Sequence, residues 1–398
     1  MTHTPLTSPA LATGQPRLAN IRQARRAVLY GETSHGVATA GVEGWIENSW
    51  RRCLASGQQP GQEPVFGMIA EAALRRTLDA NRLLVQSARP VLEKLGRAIA
   101  NTRYFAILTN QHGIVVDAGG AIDRSDRRAD LITRIGTDLS ESQLATTAIG
   151  AALKELQPVW MHRGEHFFEA NAAYSCAGAP LFGPDGDCVG MLDLTGIETT
   201  ERPELKHLVS QAARSIENAL TLGRLAAQQL HSGMLVRLNW PGRTLGDETD
   251  GLVCVDADGF VLGANQTARQ MLPQINQTGN GPIARQHCSE LFAMAFEMLF
   301  DAARQHGGAG TDSMEVPLWS GLRLQALPQT PGHNAPAAPK HTPAQSAPAP
   351  PNASLKDVET ALIRKAVDDA RGNVMQAARA LGISRATVYR RLGNGKRG

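Results

Sequence analysis

The sequence predicts an α+β multidomain protein that ends in a small all-α unit. Three observations carry this. Strand-like hairpins recur between amphipathic helical stretches, the order expected of an antiparallel α+β domain. A Pro/Ala-rich stretch, PQTPGHNAPAAPKHTPAQSAPAPPNA at 328–353, interrupts the chain. It cannot bury a core and reads as an extended, semi-rigid linker. Beyond it, residues 354–398 turn helical and basic.

The chain has 398 residues, too many for one ordinary core, so about two to four units are expected. Hydrophobic content is an ordinary 42%, enough for sizeable cores. No run of 18 or more apolar residues occurs, so no membrane span is expected. The start of the chain lacks the apolar centre of a signal peptide, and a cytoplasmic location is the expectation. Cys53, Cys176, Cys188, Cys254 and Cys288 are far apart with no C-x-x-C. That spacing argues against a zinc ribbon or a disulfide framework and fits a reducing compartment. The net charge of +3 is uneven: Leu355 to Gly398 carries ten Lys/Arg and four Asp/Glu, net +6, which leaves −3 for the rest. A basic tail on a mildly acidic body points to a polyanionic partner, although a solvated terminus has the same charge.

Taken in order, residues 1–16 are expected to be disordered and 17–74 to form an N-terminal helical segment. Its pattern runs from Leu18 to Cys53 and closes on Trp45, Ile46, Ser49, Trp50 and Cys53. A further helical stretch covers Ile69 to Ala100, with Pro90 marking a kink or a new helix start. Residues 75–220 form an α+β domain. Tyr104–Thr109 and Ile114–Asp117 flank the turn NQHG, and a helix follows over Ser142–Leu156. Strands follow at Pro158–His162, Tyr174–Phe182 and Cys188–Thr195, the last two joined by GPDGD. From Arg202 to Leu230 one apolar stripe of Leu205, Leu208, Ala212, Ile216, Ala219 and Leu220 marks a helix, and 221–244 continues as a helical connector. A third unit spans 245–327. It begins with the hairpin GLVCVD/FVLGA and a helix over Gln266–Leu272. A longer helix through Leu291–Arg304 and a strand pair within Val316–Leu327 complete it.

The tail reads as three helices. Leu355, Val358, Leu362, Ile363, Ala366 and Val367 share one face of the first, which ends at Arg371-Gly372-Asn373. VMQAARA is short, with Ala377 and Ala378 permitting close helix approach. Leu381-Gly382-Ile383 is a tight turn, Ser384 an N-cap, and RATVYRRL the third helix. Val388 and Leu392 pack inward, leaving Ser384, Arg385, Thr387, Arg390 and Arg391 outward. That is a helix-turn-helix, whose last helix enters the major groove of double-stranded DNA. Ser384 and the helix start suit a phosphate. Arg385 can read guanine or hold backbone, and Arg390 and Arg391 position on phosphates. With Tyr389 these form the expected DNA-binding set.

GNVMQAARALGISRATVYRRL closely resembles the Fis-type helix-turn-helix that ends many bacterial enhancer-binding activators. Upstream, Ser49-Trp50-Arg51-Arg52-Cys53, SESQLATTAIGAALKELQPV, GEHFFEANAAYSCAGAPLFGPDGDCVGMLDLTG and GLVCVDADGFVLGANQTARQML resemble the sensory half of the acetoin-catabolism regulator group. The resemblance implies a GAF domain over 75–220 and a PAS-like α/β module over 245–327. That family places an AAA+ ATPase between sensor and reader. Here the Pro/Ala stretch occupies that place, and neither G-x-x-x-x-G-K-[ST] nor the Gly-Ala-Phe-Thr loop that engages sigma-54 occurs.

Candidates facing a ligand in the GAF-like segment are Tyr104, His166, Tyr174, Cys176 and Asp193. Asp193, between two leucines, fits a structural role equally well, and Cys176 and Cys188 fit inert buried thiols. His162 and His166 have H-x-x-x-H spacing without the glutamate of a zinc helix, and read as a loop pair supporting the pocket. No metal, cofactor or catalytic set is expected. The resulting reading is a DNA-binding regulator responding to a small-molecule effector. It is expected to act as a homodimer on two half-sites, with RNA polymerase or related regulators as further partners and no membrane. A modulator that associates with full-length sigma-54-dependent activators is the alternative, and a GAF-type enzyme or redox sensor a third.

Overall fold

The computed structural model describes residues 14–31, 41–227, 233–276, 286–305 and 313–329, with Val367, Val374 and Met375 of the tail. The chain divides into two compact units, Met1–His333 and Asn334–Gly398. The first holds, among its described residues, two five-stranded antiparallel sheets.

The N-terminal helices are α1 (Gly14–Leu29), α2 (Gly44–Ala55), α3 (Glu71–Ala80) and α4 (Arg82–Ala98). The first sheet follows: β1 (Tyr104–Asn110), β2 (Val115–Gly120), β3 (Val159–His162), β4 (Tyr174–Phe182) and β5 (Cys188–Ile197), in the order β2-β1-β5-β4-β3. Short helices α5 (Arg127–Ile132), α6 (Glu141–Leu144) and α7 (Ala148–Glu155) lie between β2 and β3, and α8 (Leu205–Ala227) follows β5. Alternation along the strands sends side chains to two cores. Tyr104, Ala106, Leu108, Ala177, Ala179, Leu192 and Leu194 pack under α4 and α8. Phe105, Ile107, Tyr174, Cys176 and Met191 pack on the other face with α2 and α7. Centre strands buried on both faces are mostly apolar, and Asp193 and Thr195 on one face of β5 are exceptions. At Gly190 a Cβ would lie 2.2 Å from the Thr109 carbonyl oxygen, so the β1–β5 approach requires glycine.

The second sheet contains β6 (Met234–Asn239), β7 (Gly251–Val255), β8 (Val261–Ala264), β9 (Met314–Pro317) and β10 (Arg323–Gln329), in the order β8-β7-β6-β10-β9. Helices α9 (Gln266–Met271), α10 (Cys288–Leu291) and α11 (Glu297–Gln305) cover one face. The other face meets α8, where the Cys254 thiol points at the Thr221 carbonyl oxygen, 3.6 Å away. The two sheets are also joined through the β4–β5 turn. Arg269 on α9 donates to the Pro184 carbonyl at 2.7 Å, and Arg224 on α8 pairs with Asp185 at 3.1 Å.

Several expectations need correction. Residues 14–16 open α1; 1–13 lie outside the described residues. No new helix starts at Pro90: α4 runs through it, and the chain breaks at Asn81 instead. Pro90 is exposed, so the missing N–H costs little against a helix held by α8 and the sheet. The helix expected over 142–156 is two, α6 and α7, separated where Ala145 takes φ 56°. The long helix expected through Leu291–Arg304 is likewise α10 and α11, because Phe292 leaves helical geometry to bridge Leu318. The helical connector expected at 221–244 is overturned: 234–239 is the central strand of the second sheet, with Met234, Val236 and Leu238 buried. β10 also extends through Pro328 and Gln329, which had been assigned to the linker. The rest of that linker and, apart from Val367, Val374 and Met375, the three tail helices lie outside the described residues.

The N-terminal helices are fastened to the first sheet's domain. Trp50 is fully buried, and its Nε1 donates to the Glu165 carbonyl at 2.9 Å. Trp50→Ala is expected to lower stability by about 3–5 kcal/mol. Trp50→Phe should cost less, about 1–3 kcal/mol, chiefly for the carbonyl left unpaired. Urea unfolding of the two variants checks the order.

Candidate functional site

A cavity partly open to solvent lies on the face of the first sheet away from α4 and α8, with about 390 Å³ of empty space when the open solvent at its mouth is included. Its walls are mostly apolar: Phe66, Ile107, Ile132, Leu139, Leu144 and Ile149. Polar groups enter from four places. β4 contributes Tyr174 and Cys176, and β5 contributes Asp193 and Thr195, each pair two residues apart and so on one face. The α7 N-cap contributes Thr147, and the segment between β3 and β4 contributes His166 and Asn171.

Four of the five residues expected to face a ligand therefore meet in one cavity: His166, Tyr174, Cys176 and Asp193. Tyr104 stands apart. It lies one position out of phase with Phe105 and Ile107, so its ring packs in the core under α4 and α8. Its hydroxyl donates to the Thr200 carbonyl at 3.1 Å, and burial pushes its pKa up to about 12. Thr195 and Asn171 escaped the sequence reading. Thr195 carried a signal, lying two residues after Asp193 on one strand. Asn171 carried none.

The polar side chains form a chain. His166 Nδ1 lies 2.9 Å from the Arg163 carbonyl, which can only accept, so Nδ1 carries the proton. Burial lowers the His166 pKa to about 4, leaving a neutral ring whose Nε2 faces the Cys176 thiol at 3.7 Å. Cys176 Sγ is 3.6 Å from Thr195 Oγ1. The Thr195 hydroxyl in turn donates to Asp193 Oδ2. Burial pushes the thiol well above its ordinary 9.0, which makes it a poor nucleophile. Burial likewise lifts Asp193 to about 7, and its Oδ1 has no partner. His162 does not join His166. Its Nδ1 bonds Ser175 Oγ at 2.8 Å, and among the described residues no three His, Cys, Asp or Glu side chains are placed to hold a metal ion.

The N-terminal helices hold the loop that presents His166. Arg25 is buried and donates to the carbonyls of Gly164 (3.0 Å), His166 (2.6 Å) and Phe167 (3.0 Å). Its guanidinium also sits over Trp50, 5.7 Å from the ring centroid. On α2, Ser49 Oγ bonds Glu141 Oε1 at 2.5 Å and Thr146 Oγ1 at 2.7 Å, and Arg52 pairs with Glu141 and Glu155. The Ser-Trp-Arg-Arg-Cys run thus ties α2 to both segments that border the cavity. Arg51 alone of the five is exposed, paired with Glu47.

The described residues form a mixed α/β body of antiparallel sheets with a cavity on one face of the first. Residues 10–218 match the family described as "MimR, N-terminal domain", more than half of the chain, and the chain belongs to that family. Residues 354–394 match "Bacterial regulatory protein, Fis family", which makes the tail a Fis-type helix-turn-helix. The chain is similar to the acetoin catabolism regulatory protein of Cupriavidus necator, 29% identical over 265 residues, 65% of this chain and 37% of that protein. It is also similar to the propane 2-monooxygenase operon transcriptional activator MimR of Mycolicibacterium goodii, 26% identical over 282 residues, 70% of this chain and 45% of that one. The chain thus spans less than half the length of these curated relatives. Among solved structures, the Escherichia coli DhaR(N)–DhaL complex aligns over 72% of this chain and 99% of that one, at 15% identity and a TM-score of 0.44. No helix among the described residues is long and apolar enough to cross a membrane.

Asp193 gives a pH signature. Its folded pKa of about 7 exceeds its ordinary 3.8, so between these values the folded state holds a proton that the unfolded state has lost. The Asp193 contribution to stability is therefore expected to fall as pH rises through that window, by up to about 1.4 kcal/mol per pH unit, while His162 and His166, lowered by burial from 6.5 to about 4, contribute the opposite slope. Above about pH 7 this contribution levels off. Asp193→Asn should remove it, and unfolding midpoints across the range measure the difference. Glu217, raised by burial from 4.5 to about 7, adds a similar slope that Asp193→Asn leaves in place.

Proposed function

We propose that this chain is a DNA-binding transcriptional regulator whose cavity senses a small molecule. The cavity is the observation that carries the sensing half: an apolar enclosure on the first sheet into which a few polar groups converge. The match of residues 354–394 to the Fis family supports the reading half. The first sheet's domain is GAF-like, and the second sheet with α9–α11 is PAS-like, with β6 added at its centre. The names of similar proteins support transcriptional control of catabolic operons. Occupancy of the cavity would bias operator affinity, and coupling of about 1–3 kcal/mol is typical of such devices.

On the tail, Ser384, Arg385, Thr387, Tyr389, Arg390 and Arg391 are the proposed DNA contacts, Arg385 reading bases and the later arginines holding phosphates. One module of this size has little interface, so a homodimer on two half-sites is proposed. The chain contains no phosphate-binding loop of the G-x-x-x-x-G-K-[ST] kind. Control through DNA occupancy, in the cytoplasm and without ATP hydrolysis, is therefore the favoured mechanism. The Pro/Ala stretch between body and reader favours a second reading: association with full-length sigma-54-dependent activators or RNA polymerase as a modulator.

Gel-shift with the full chain and promoter fragments from the DNA around its own gene tests this. Arg385→Ala is expected to weaken specific binding about tenfold or more, the scale of one base contact. Arg391→Ala should weaken all fragments alike and flatten the salt dependence. Undiminished binding by Arg385→Ala removes that residue from the reading set, and absence of binding to every fragment overturns the proposal.

A further inference from the structure

The cavity's polar groups can be sorted by whether the protein already satisfies them. Cys176, Thr195 and His166 are engaged with one another or with backbone. Among the fully buried polar atoms of the wall, two oxygens are not. Asp193 Oδ1 and Asn171 Oδ1 are buried and have no hydrogen-bond partner, and both residues line the cavity. Asp193 is 0% exposed and Asn171 2% exposed. They come from different elements: Asp193 from the middle of β5, Asn171 from the turn before β4.

A buried acceptor without a donor costs free energy, and the cost is recovered when a ligand supplies the donor. Two such acceptors in one small enclosure call for two donors. The remaining wall is mostly apolar, so the rest of the ligand is hydrocarbon. No Lys or Arg is among the described residues lining the cavity. A carboxylate or phosphate would therefore meet no counter-charge and would approach Asp193.

We infer that the cavity takes a small uncharged molecule bearing two hydrogen-bond donors, of the diol class, with Asp193 and Asn171 each accepting one. This rests on the proposed role of the cavity as the sensing site. Asn171 thereby becomes a specificity-determining residue. A molecule with one donor leaves one oxygen unpaired, and a diketone leaves both.

Calorimetric titration of the full chain at about pH 8 tests this with size-matched probes: the 1,2-, 1,3- and 1,4-cyclohexanediols, cyclohexanol, cyclohexane-1,4-dione and cyclohexanecarboxylate. At least one diol isomer is expected to bind about tenfold or more tighter than cyclohexanol, one satisfied acceptor being of that order. The dione and the carboxylate should bind more weakly still. Asn171→Leu should bring the best diol down to the level of cyclohexanol and leave cyclohexanol itself unchanged. If cyclohexanol binds and no diol does better, the donor assignment fails while the sensing role stands. Tighter binding of the carboxylate overturns it likewise. If none of the series binds, the cavity reading fails, and this proposal with it. The wild-type series decides the matter even should Asn171→Leu not fold.

Discussion

A sheet buried on both faces must find two covers, and the first sheet takes them from opposite ends of its own sequence neighbourhood. One face is closed by α4 and α8, which bracket the strands in sequence and pack as a continuous apolar layer. The other is closed by short pieces, α2, α6, α7 and the segment between β3 and β4. Short pieces with turns between them cannot fill a surface as evenly as two long helices. The cavity lies on that second face.

Holding such an irregular cover in place takes polar clamps, and they come from far away in the chain. Arg25 gathers three carbonyls of the loop bearing His166, and Ser49 and Arg52 grip Glu141 beside the α6–α7 break. The backbone departs from comfortable conformations in the same two places: Ala145 and Arg163 both adopt left-handed φ. Such departures persist where surrounding contacts over-determine them. Around this cavity the backbone strain, the unpaired oxygens and the carboxylate held near neutrality coincide. The opposite face of the sheet, under α4 and α8, is mostly hydrocarbon packing, with Glu217 of α8 and the unpaired Trp160 indole nitrogen as its buried polar exceptions.

Much of this was legible in the sequence, and the rest was not for identifiable reasons. Strand and hairpin positions of the first sheet followed from apolar runs and turn residues, and four cavity residues were reachable from the β4 and β5 segments. Tyr104 was misplaced although the alternation in YFAILT was there to be used: a run buried on both faces hides which parity faces which side. Asn171, Phe66 and Leu139 reach the cavity only through tertiary folding, and no local pattern marks them. β6 was lost behind α8, because a six-residue strand interrupted by Arg237 has too short a pattern to compete with the long helix before it. Pro90 misled in the opposite direction, since local propensity yields where an amphipathic helix has a large surface to bury.

The position of β6 constrains how this chain can be divided or recombined. Its neighbours in the sheet are β7, immediately downstream, and β10, which pairs Leu327 with Arg237. On the ribosome the strand must wait, one edge bare, until residue 329 has been made. A gene fusion or deletion that begins the second module at its apparent sequence boundary near 245 would remove the middle of the sheet. Two hairpins with open edges would remain, the kind of surface that pairs with other chains. The natural unit of exchange therefore starts upstream of residue 234, at the end of the long helix that the first sheet also needs.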